Sequence, residues 1–231
     1  MNEHEQNNLL ARRFGFWSSI LVAICSAGFL AAMIICTVAI PLDFNWTGME
    51  NYKFNELQVL LFCVPDCILA PAFLAALASF SYCTKGNARF LSRMAVLFTV
   101  VYVAQISINY YLQMTSVRYT MLAGDTSGFT VFAFGNLHSV FWSTETLGYA
   151  FLCVAMVLIA PLFKGSKSNA AARWILILNG VLGVATPVME VCNFTIPGPP
   201  IGLLLFGVTI PIFAAVLAGK FKNNSLPEQN A

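Results

Sequence analysis

Residues 57–82 read LQVLLFCVPDCILAPAFLAALASFSY, an apolar run whose only charged side chain is Asp66. A helix needs about 20 apolar residues to cross about 30 Å of hydrocarbon, so a run of this length predicts a transmembrane helix. Five further runs satisfy the same requirement. The six predicted spans are 14–40, 57–82, 90–115, 141–163, 174–194 and 201–218. We therefore expect an all-α fold, a polytopic membrane helical bundle over residues 14–218, between cytoplasmic tails at 1–13 and 219–231.

The composition agrees with a chain surrounded by lipid. Hydrophobic residues make up 58% of the 231 positions and charged residues 10%, whereas soluble domains carry about 25% charged residues. The predicted partner of the chain is therefore the lipid bilayer. The cysteines lie in or beside apolar runs and are predicted to be core residues. Cys63 and Cys67 resemble a redox or metal pair by spacing, but two positions on one helix suit a disulfide poorly.

The orientation follows from the placement of positive charge, because short cytoplasmic loops retain Lys and Arg during insertion. Ten of the 12 basic residues fall on one side of the predicted bundle, and Lys53 and Arg118 fall on the other. Such a bias requires an even number of spans, so both termini are predicted to be cytoplasmic. The net charge of +2 is explained by this topology, and nucleic acid is not a predicted partner.

Three acids lie inside the predicted spans: Asp66, Glu145 and Glu190. An ionised carboxylate in the bilayer costs at least about 2 to 3 kcal/mol unless it is paired, hydrated or protonated. At 1.5 Å per helical residue, the predicted topology places all three in the outer half of the membrane. We therefore expect them to line one water-accessible outer cavity. Pro65 and Pro187 lie close to two of these acids and predict kinked helices there.

Two polar stripes accompany the acids, one on the third span and one on the fourth, at the three- and four-residue intervals that share a helix face. The predicted ligand-binding residues are Asp66, Gln105, Asn109, Gln113, His138, Trp142, Glu145, Tyr149 and Glu190.

Structural roles for these residues stay open at this point. Asn109 and Gln113 are typical of interhelical hydrogen bonds, and Trp142 and Tyr149 of an interfacial aromatic belt. Glu145 has Arg118 or His138 as possible ion-pair partners, and Asp66 can be protonated and hydrogen-bonded. The aromatic segment 116–140 is either a lid, a short re-entrant piece or an ordinary surface loop.

Three acids against few cations favour a cation, a proton or a donor-rich molecule. The predicted function is the binding or transport of a small cationic or amphiphilic ligand. Walker, G-x-S-x-G, H-E-x-x-H and dinucleotide-binding patterns are absent from the sequence. No catalytic residue, metal or cofactor is therefore predicted.

Two other functions remain. The first is a membrane enzyme that acts on a lipid or isoprenoid, with Glu145 or Asp66 as acid or base and His138 as its partner. The second is a subunit of a larger membrane complex, which would dock through the small residues Ala23, Ala27 and Ala31.

The stretches NYYLQMT at 109–115 and NLHSVFWSTETLGY at 136–149 resemble a group of uncharacterised bacterial multi-span membrane proteins. The resemblance extends to APLF at 160–163. It implies a bacterial cytoplasmic (inner) membrane protein whose common role lies at the N-Y-x-x-Q and H-x-x-x-W-x-x-E residues. It implies no particular activity.

Overall fold

The computed structural model describes residues 3–38, 47–125, 128–192 and 199–226, which form helices joined by turns and irregular segments. No strand occurs in these ranges, so the predicted all-α fold is confirmed there. The helices are α1 Glu3–Val38, α2 Glu56–Cys83, α3 Ala88–Leu112, α4 Arg118–Leu122, α5 Val140–Ile159, α6 Lys167–Val191 and α7 Pro199–Asn223. The short α4 continues α3 through a π-helical turn, Gln113–Val117.

Five stretches of the described chain are long and apolar enough to cross a membrane. They are Glu5–Cys36, Glu56–Cys83, Ala88–Leu122, Val140–Leu162 and Lys167–Val191. They correspond to the first five predicted spans, and the sixth predicted span, 201–218, lies within the 25 residues of α7. The predicted ends at residues 40 and 194 lie outside the described residues, as do tail positions 1–2 and 227–231.

The helices extend beyond the apolar runs at several ends, for identifiable reasons. α1 begins at Glu3, inside the predicted polar tail, because Glu3 and Glu5 in its first turn favour the positive end of the helix dipole. α6 begins well before the predicted residue 174, because the Ser166 side chain accepts a hydrogen bond from the backbone N–H of Asn169. α7 extends past the predicted residue 218 because Lys220 and Lys222 in its last turn favour the negative end of the helix dipole.

The long helices form a ring in chain order, in which α1 packs on α2, α2 on α3, α3 on α5, α5 on α6 and α6 on α7. The ring closes where α7 packs on α1, and there the Arg12 side chain donates to the carbonyl of Phe221 at 3.1 Å. Successive long helices alternate in direction: a hydrogen bond from Asn109 to Phe141 joins the end of α3 to the start of α5, and one from Thr146 to Glu190 joins the start of α5 to the end of α6. We name the end where α2 and α5 begin the outer end, following the orientation predicted above, and the opposite end the inner end.

Aromatic side chains fill the ring toward the inner end. The Phe80 and Phe163 rings stack with centroids 5.7 Å apart, and the Phe163 and Phe213 centroids are also 5.7 Å apart. Phe73 lies 6.3 Å from Phe213 across the ring. All four side chains are buried. This half of the interior is therefore a packed apolar core.

Helices α5 and α6 approach each other closely at glycine. A Cβ placed on Gly183 would lie 2.1 Å from Cys153 Sγ and 2.9 Å from Cys153 Cβ. A Cβ on Gly180 would lie 2.2 Å from Val157 Cγ2. Only a residue without a side chain fits at these two positions while the helices keep this spacing.

Residues 132–139, which precede α5, fold inward at the outer end; we name them the outer plug. Ala133, Phe134 and Asn136 in this segment are buried. The Trp142 indole N–H donates to the Phe134 carbonyl at 2.7 Å, and Gln113 Nε2 donates to the Phe132 carbonyl at 3.0 Å. Of the predicted alternatives for this part of 116–140, an ordinary surface loop is therefore wrong.

Tyr52, which lies between α1 and α2, covers the outer plug. A Cβ on Gly135 would lie 2.5 Å from Cε2 of the Tyr52 ring, so the glycine permits this contact. Burial raises the pKa of the Tyr52 phenol, which therefore stays protonated at neutral pH.

Candidate functional site

Asp66 and Glu145 lie buried in the ring, with 0% and 5% of their surfaces exposed. The Tyr110 hydroxyl joins them: it is 2.9 Å from Asp66 Oδ2 and 3.0 Å from Glu145 Oε1. The Tyr149 hydroxyl donates to the same Asp66 Oδ2 at 2.9 Å. We name Asp66 and Glu145 the carboxylate pair.

Three helices bring these groups together. Asp66 follows Pro65 in α2, where the missing N–H of proline leaves a backbone carbonyl one turn earlier without its helical partner. Glu145 and Tyr149 are four residues apart on α5 and therefore share its inward face. Tyr102 and Tyr110 occupy the buried face of α3, two turns apart.

Aromatic and amide groups surround the pair. The Tyr149 ring lies between Tyr102 and Phe206, with centroid distances of 5.4 and 5.0 Å. Gln105 lies beside α5 at Gly148, where an added Cβ would be at ordinary van der Waals distance, 3.5 Å, from Gln105 Oε1. The tighter contacts of that Cβ would be with the Ile106 side chain, at 3.1 and 3.2 Å, so the absence of a side chain at Gly148 makes room for Ile106.

Several oxygens at this site have no hydrogen-bond partner among the described residues: Asp66 Oδ1, Glu145 Oε2 and Gln105 Oε1. The fully buried Tyr102 hydroxyl lies near the Tyr149 hydroxyl without making a hydrogen bond of ordinary geometry. A buried polar group without a partner costs about 1 to 3 kcal/mol. Asp66 Oδ1, Glu145 Oε2 and Gln105 Oε1 can only accept hydrogen bonds or coordinate a cation, so the site has more hydrogen-bond acceptors than donors.

The structure brings four of the predicted site residues together here: Asp66, Gln105, Glu145 and Tyr149. Three others, Asn109, Gln113 and Trp142, lie toward the outer end, where their side chains donate hydrogen bonds to backbone carbonyls. Asn109 Nδ2 donates to the carbonyl of Phe141 at 3.0 Å, whereas Gln113 and Trp142 hold the outer plug. These contacts agree with the structural alternative, in which Asn109 and Gln113 join helices. A ligand-binding role for Asn109, Gln113 and Trp142 stays a prediction.

Glu190 and His138 do not reach the carboxylate pair, and both are exposed. Glu190 accepts a hydrogen bond from Thr146 Oγ1 at 2.9 Å. Glu145 and Thr146 are consecutive on α5 and point about 100° apart, so one faces the interior and the other faces α6. The expectation that three acids line one water-accessible cavity is therefore wrong, because two are enclosed and the third lies outside.

Arg118 pairs with Glu56, its Nε lying 2.7 Å from Glu56 Oε1. The predicted alternative in which Arg118 pairs with Glu145 is wrong. Within the described ranges of the chain, neither member of the carboxylate pair forms an ion pair. Any full charge on the pair thus lacks a basic side chain to balance it.

Tyr110 is the site residue that sequence reasoning missed. It is not among the predicted ligand-binding residues, whereas its hydroxyl is the bridge between the two acids. A signal was present: Tyr102, Ile106 and Tyr110 recur every four residues on α3, and all three are buried. The neighbouring stripe through Gln105, Asn109 and Gln113 consists of amides, which are a stronger polar signal in an apolar run than a tyrosine.

Metal-ligand clusters and disulfides do not contribute to this site in the described residues. No group of three His, Cys, Asp or Glu side chains is placed there to hold a metal ion. Cys63 and Cys67 are both free thiols. The polar groups that the structure describes at this site are two carboxyl groups, their phenol partners and the Gln105 amide.

No protein-family model, curated protein or solved structure matches the chain.

Proposed function

We propose that this chain is a six-span integral membrane protein of the bacterial cytoplasmic membrane, with both termini in the cytoplasm, that binds or transports a small cation. The binding site is the carboxylate pair. The supporting observation is that Asp66 Oδ1 and Glu145 Oε2 are buried acceptors without partners among the described residues. The resemblance to a group of bacterial multi-span membrane proteins stays a prediction.

Electrostatics favours a positive ligand. Two carboxyl groups share one small volume, and their hydrogen-bond donors are the neutral phenols of Tyr110 and Tyr149. A cation between Asp66 and Glu145 would meet the unpartnered oxygens and lower the cost of burying charge in the membrane. The Tyr102 and Tyr149 rings beside the site add cation–π contacts worth about 0.5 to 2 kcal/mol each if the ligand touches their faces.

Access to the pair is expected from the outer end. The Phe134 ring of the outer plug lies 5.2 Å from Phe141, and Phe141 lies 5.8 Å from Tyr110. This row of rings separates the pair from the outer end, whereas the aromatic core fills the inner half. Among the described residues this row of rings covers the outer side of the pair, so we expect a ligand to enter when the outer plug moves, which is the gating that a carrier needs.

Two probe cations test the proposal on the purified protein in liposomes: methylammonium, which donates hydrogen bonds, and tetraphenylphosphonium, which does not. We expect saturable binding of methylammonium and its loss on Glu145→Gln. The matched control is Glu190→Gln, which neutralises an exposed acid and should change affinity less than twofold. Saturable binding of neither probe, or equal losses in the two variants, would contradict the proposal. Binding of tetraphenylphosphonium alone would assign the amphiphilic class of ligand.

The enzyme alternative has less support than the binding site. It requires His138 to act with Glu145 or Asp66, and His138 is exposed while both acids are enclosed. The subunit alternative stays a proposal: Ala27 and Ala31 lie on the exposed face of α1, and Ala23 is half-buried. Copurification of a stoichiometric partner would support it.

A further inference from the structure

From the geometry of the carboxylate pair, we infer that it carries one shared proton, held on Glu145, and that this proton is a ligand of the site. The exchange of this proton for a cation rests on the proposed function. The presence of the proton in the protein without a bound cation is argued from the hydrogen bonds alone.

The first step is the number of protons available. The Tyr110 hydroxyl lies within hydrogen-bond distance of Asp66 Oδ2 and of Glu145 Oε1, at 2.9 and 3.0 Å. A phenol has one proton to donate, and an ionised carboxylate can only accept. A single phenol proton shared between two carboxylates makes two weakened contacts and leaves two adjacent negative charges. Both contacts are full hydrogen bonds only if one of the two acids is protonated and donates to the Tyr110 oxygen.

The second step is which acid carries the proton. Asp66 Oδ2 also receives the Tyr149 hydroxyl at 2.9 Å, so two phenols converge on this one oxygen. Two donors stabilise the ionised form of a carboxylate. Glu145 has no donor other than Tyr110 among the described residues, so it is the member that holds the proton and donates from Oε1.

The surroundings supply no positive charge that would replace the proton. The ionisable groups that interact electrostatically with the pair, besides Tyr110, are Cys25 on α1, Cys63 and Cys67 on α2, Tyr102 on α3 and Tyr149 on α5. All are thiols or phenols. From α7, the Phe206 ring packs on Tyr149 beside the pair. One proton on the pair thus halves the negative charge of the two carboxylates, which no basic side chain among the described residues balances.

The same hydrogen bonds allow the proton to move. When Glu145 passes its proton to the Tyr110 oxygen, Tyr110 passes its own proton to Asp66 Oδ2. The phenol is unchanged, and the charge has moved from Asp66 to Glu145. The unpartnered oxygens Asp66 Oδ1 and Glu145 Oε2 mark where a monovalent cation would bind as the proton passes to water admitted from the outer end. Such an exchange, one for one, keeps the charge of the buried site constant.

Infrared spectroscopy of the full chain in lipid at neutral pH tests the proton site without any added ligand. We expect the C=O stretch of a protonated carboxylic acid, with a downshift in deuterium oxide. Glu145→Gln should abolish this band, and the matched variant Glu190→Gln should keep it. No such band in the wild type, or an undiminished band in Glu145→Gln, would overturn the inference. Loss on Asp66→Asn with retention in Glu145→Gln would overturn the assignment to Glu145.

Tyr110→Phe keeps the test decisive if Glu145→Gln fails to fold. The band should remain but shift to higher frequency, because Glu145 loses its acceptor; an unshifted band would overturn the bridge. Each variant is compared after size-exclusion chromatography and circular dichroism match the wild type. Because no cation is added, loss of the proton site and loss of probe binding are separate results. A carboxylic acid band together with no probe binding would sink only the proposed function.

Discussion

Tyr110 and Tyr111 are neighbours in sequence with opposite surroundings. Tyr110 is 2% exposed and bridges the carboxylate pair, whereas Tyr111 is 62% exposed. The two positions carry the same chemical group in the same helix. They therefore separate the effect of one buried hydroxyl from the general effect of removing a phenol oxygen.

Replacing Tyr110 by Phe should destabilise the protein by about 1 to 3 kcal/mol, because Asp66 and Glu145 each lose a buried hydrogen bond. Tyr111→Phe should change stability by less than about 0.5 kcal/mol. Unfolding in mixed detergent micelles, followed by circular dichroism, measures both. Equal effects of the two variants would show that the bridge does not contribute to stability.

At the scale of residues, the sequence predicts how far along the bundle a side chain lies better than it predicts which side of its helix the side chain occupies. Asp66 and Glu145 are predictable because acids are rare in apolar runs, and both lie toward the outer end, where α2 and α5 begin. Glu190 lies at a similar depth but faces away, since direction around a helix depends on packing that the sequence does not show. Tyr110 was missed because tyrosine is ordinary in a membrane helix until its partner is known.

At the scale of elements, the contact between α5 and α6 depends on glycine. A side chain on Gly183 would overlap Cys153, whereas a Cβ on Gly28 of α1 meets nothing within 4 Å. Both positions are helical, so alanine improves helix propensity equally at each.

Gly183→Ala should destabilise the bundle by about 1 to 3 kcal/mol, because α5 and α6 must move apart to admit the methyl group. Gly28→Ala should be neutral or slightly stabilising. Thermal unfolding in detergent compares the two with the wild type. A stable Gly183→Ala variant would mean that Cys153 can move aside without cost.

The outer plug gives a second prediction at this scale. Trp142→Phe removes the hydrogen bond to the Phe134 carbonyl and should lower stability by about 1 to 3 kcal/mol. The control is Trp174→Phe, since Trp174 is 68% exposed. Hydrogen exchange followed by mass spectrometry should show faster exchange at residues 132–139 in the first variant alone. Unchanged exchange there would contradict the anchoring role of Trp142.

The helices themselves were largely predictable, because long apolar runs leave few alternatives. The extensions were not. The π-helical turn Gln113–Val117 carries α3 on into α4, and the capped polar turn before Arg173 adds to α6. Hydropathy cannot detect either, since polar residues interrupt both segments and the helical state of those residues depends on hydrogen bonds.

At the scale of the whole molecule, the ring of helices in chain order agrees with antiparallel packing of successive spans. The orientation of that ring in the membrane stays a prediction from the positive charges. It has a direct test, because the reporters involved work on only one side of the membrane.

Green fluorescent protein fused after residue 231 should fluoresce in a bacterial host, since the carboxyl terminus is expected in the cytoplasm. Alkaline phosphatase inserted after Gly124, in the turn that follows α4, should be active because that turn is expected outside. The reciprocal fusions, with the two reporters exchanged, are the control. Activity in the reciprocal pair alone would reverse the proposed orientation.

The closure of the ring has a consequence for biosynthesis. A Cβ on Gly15 would lie 2.3 Å from the Phe221 ring, so the start of the first helix meets the end of the last. In the proposed membrane topology, one flank of α1 therefore stays unoccupied until α7 has been synthesised. We expect lipid or the insertion machinery to shield this flank during that interval. We expect chains truncated before α7 to be degraded by membrane proteases.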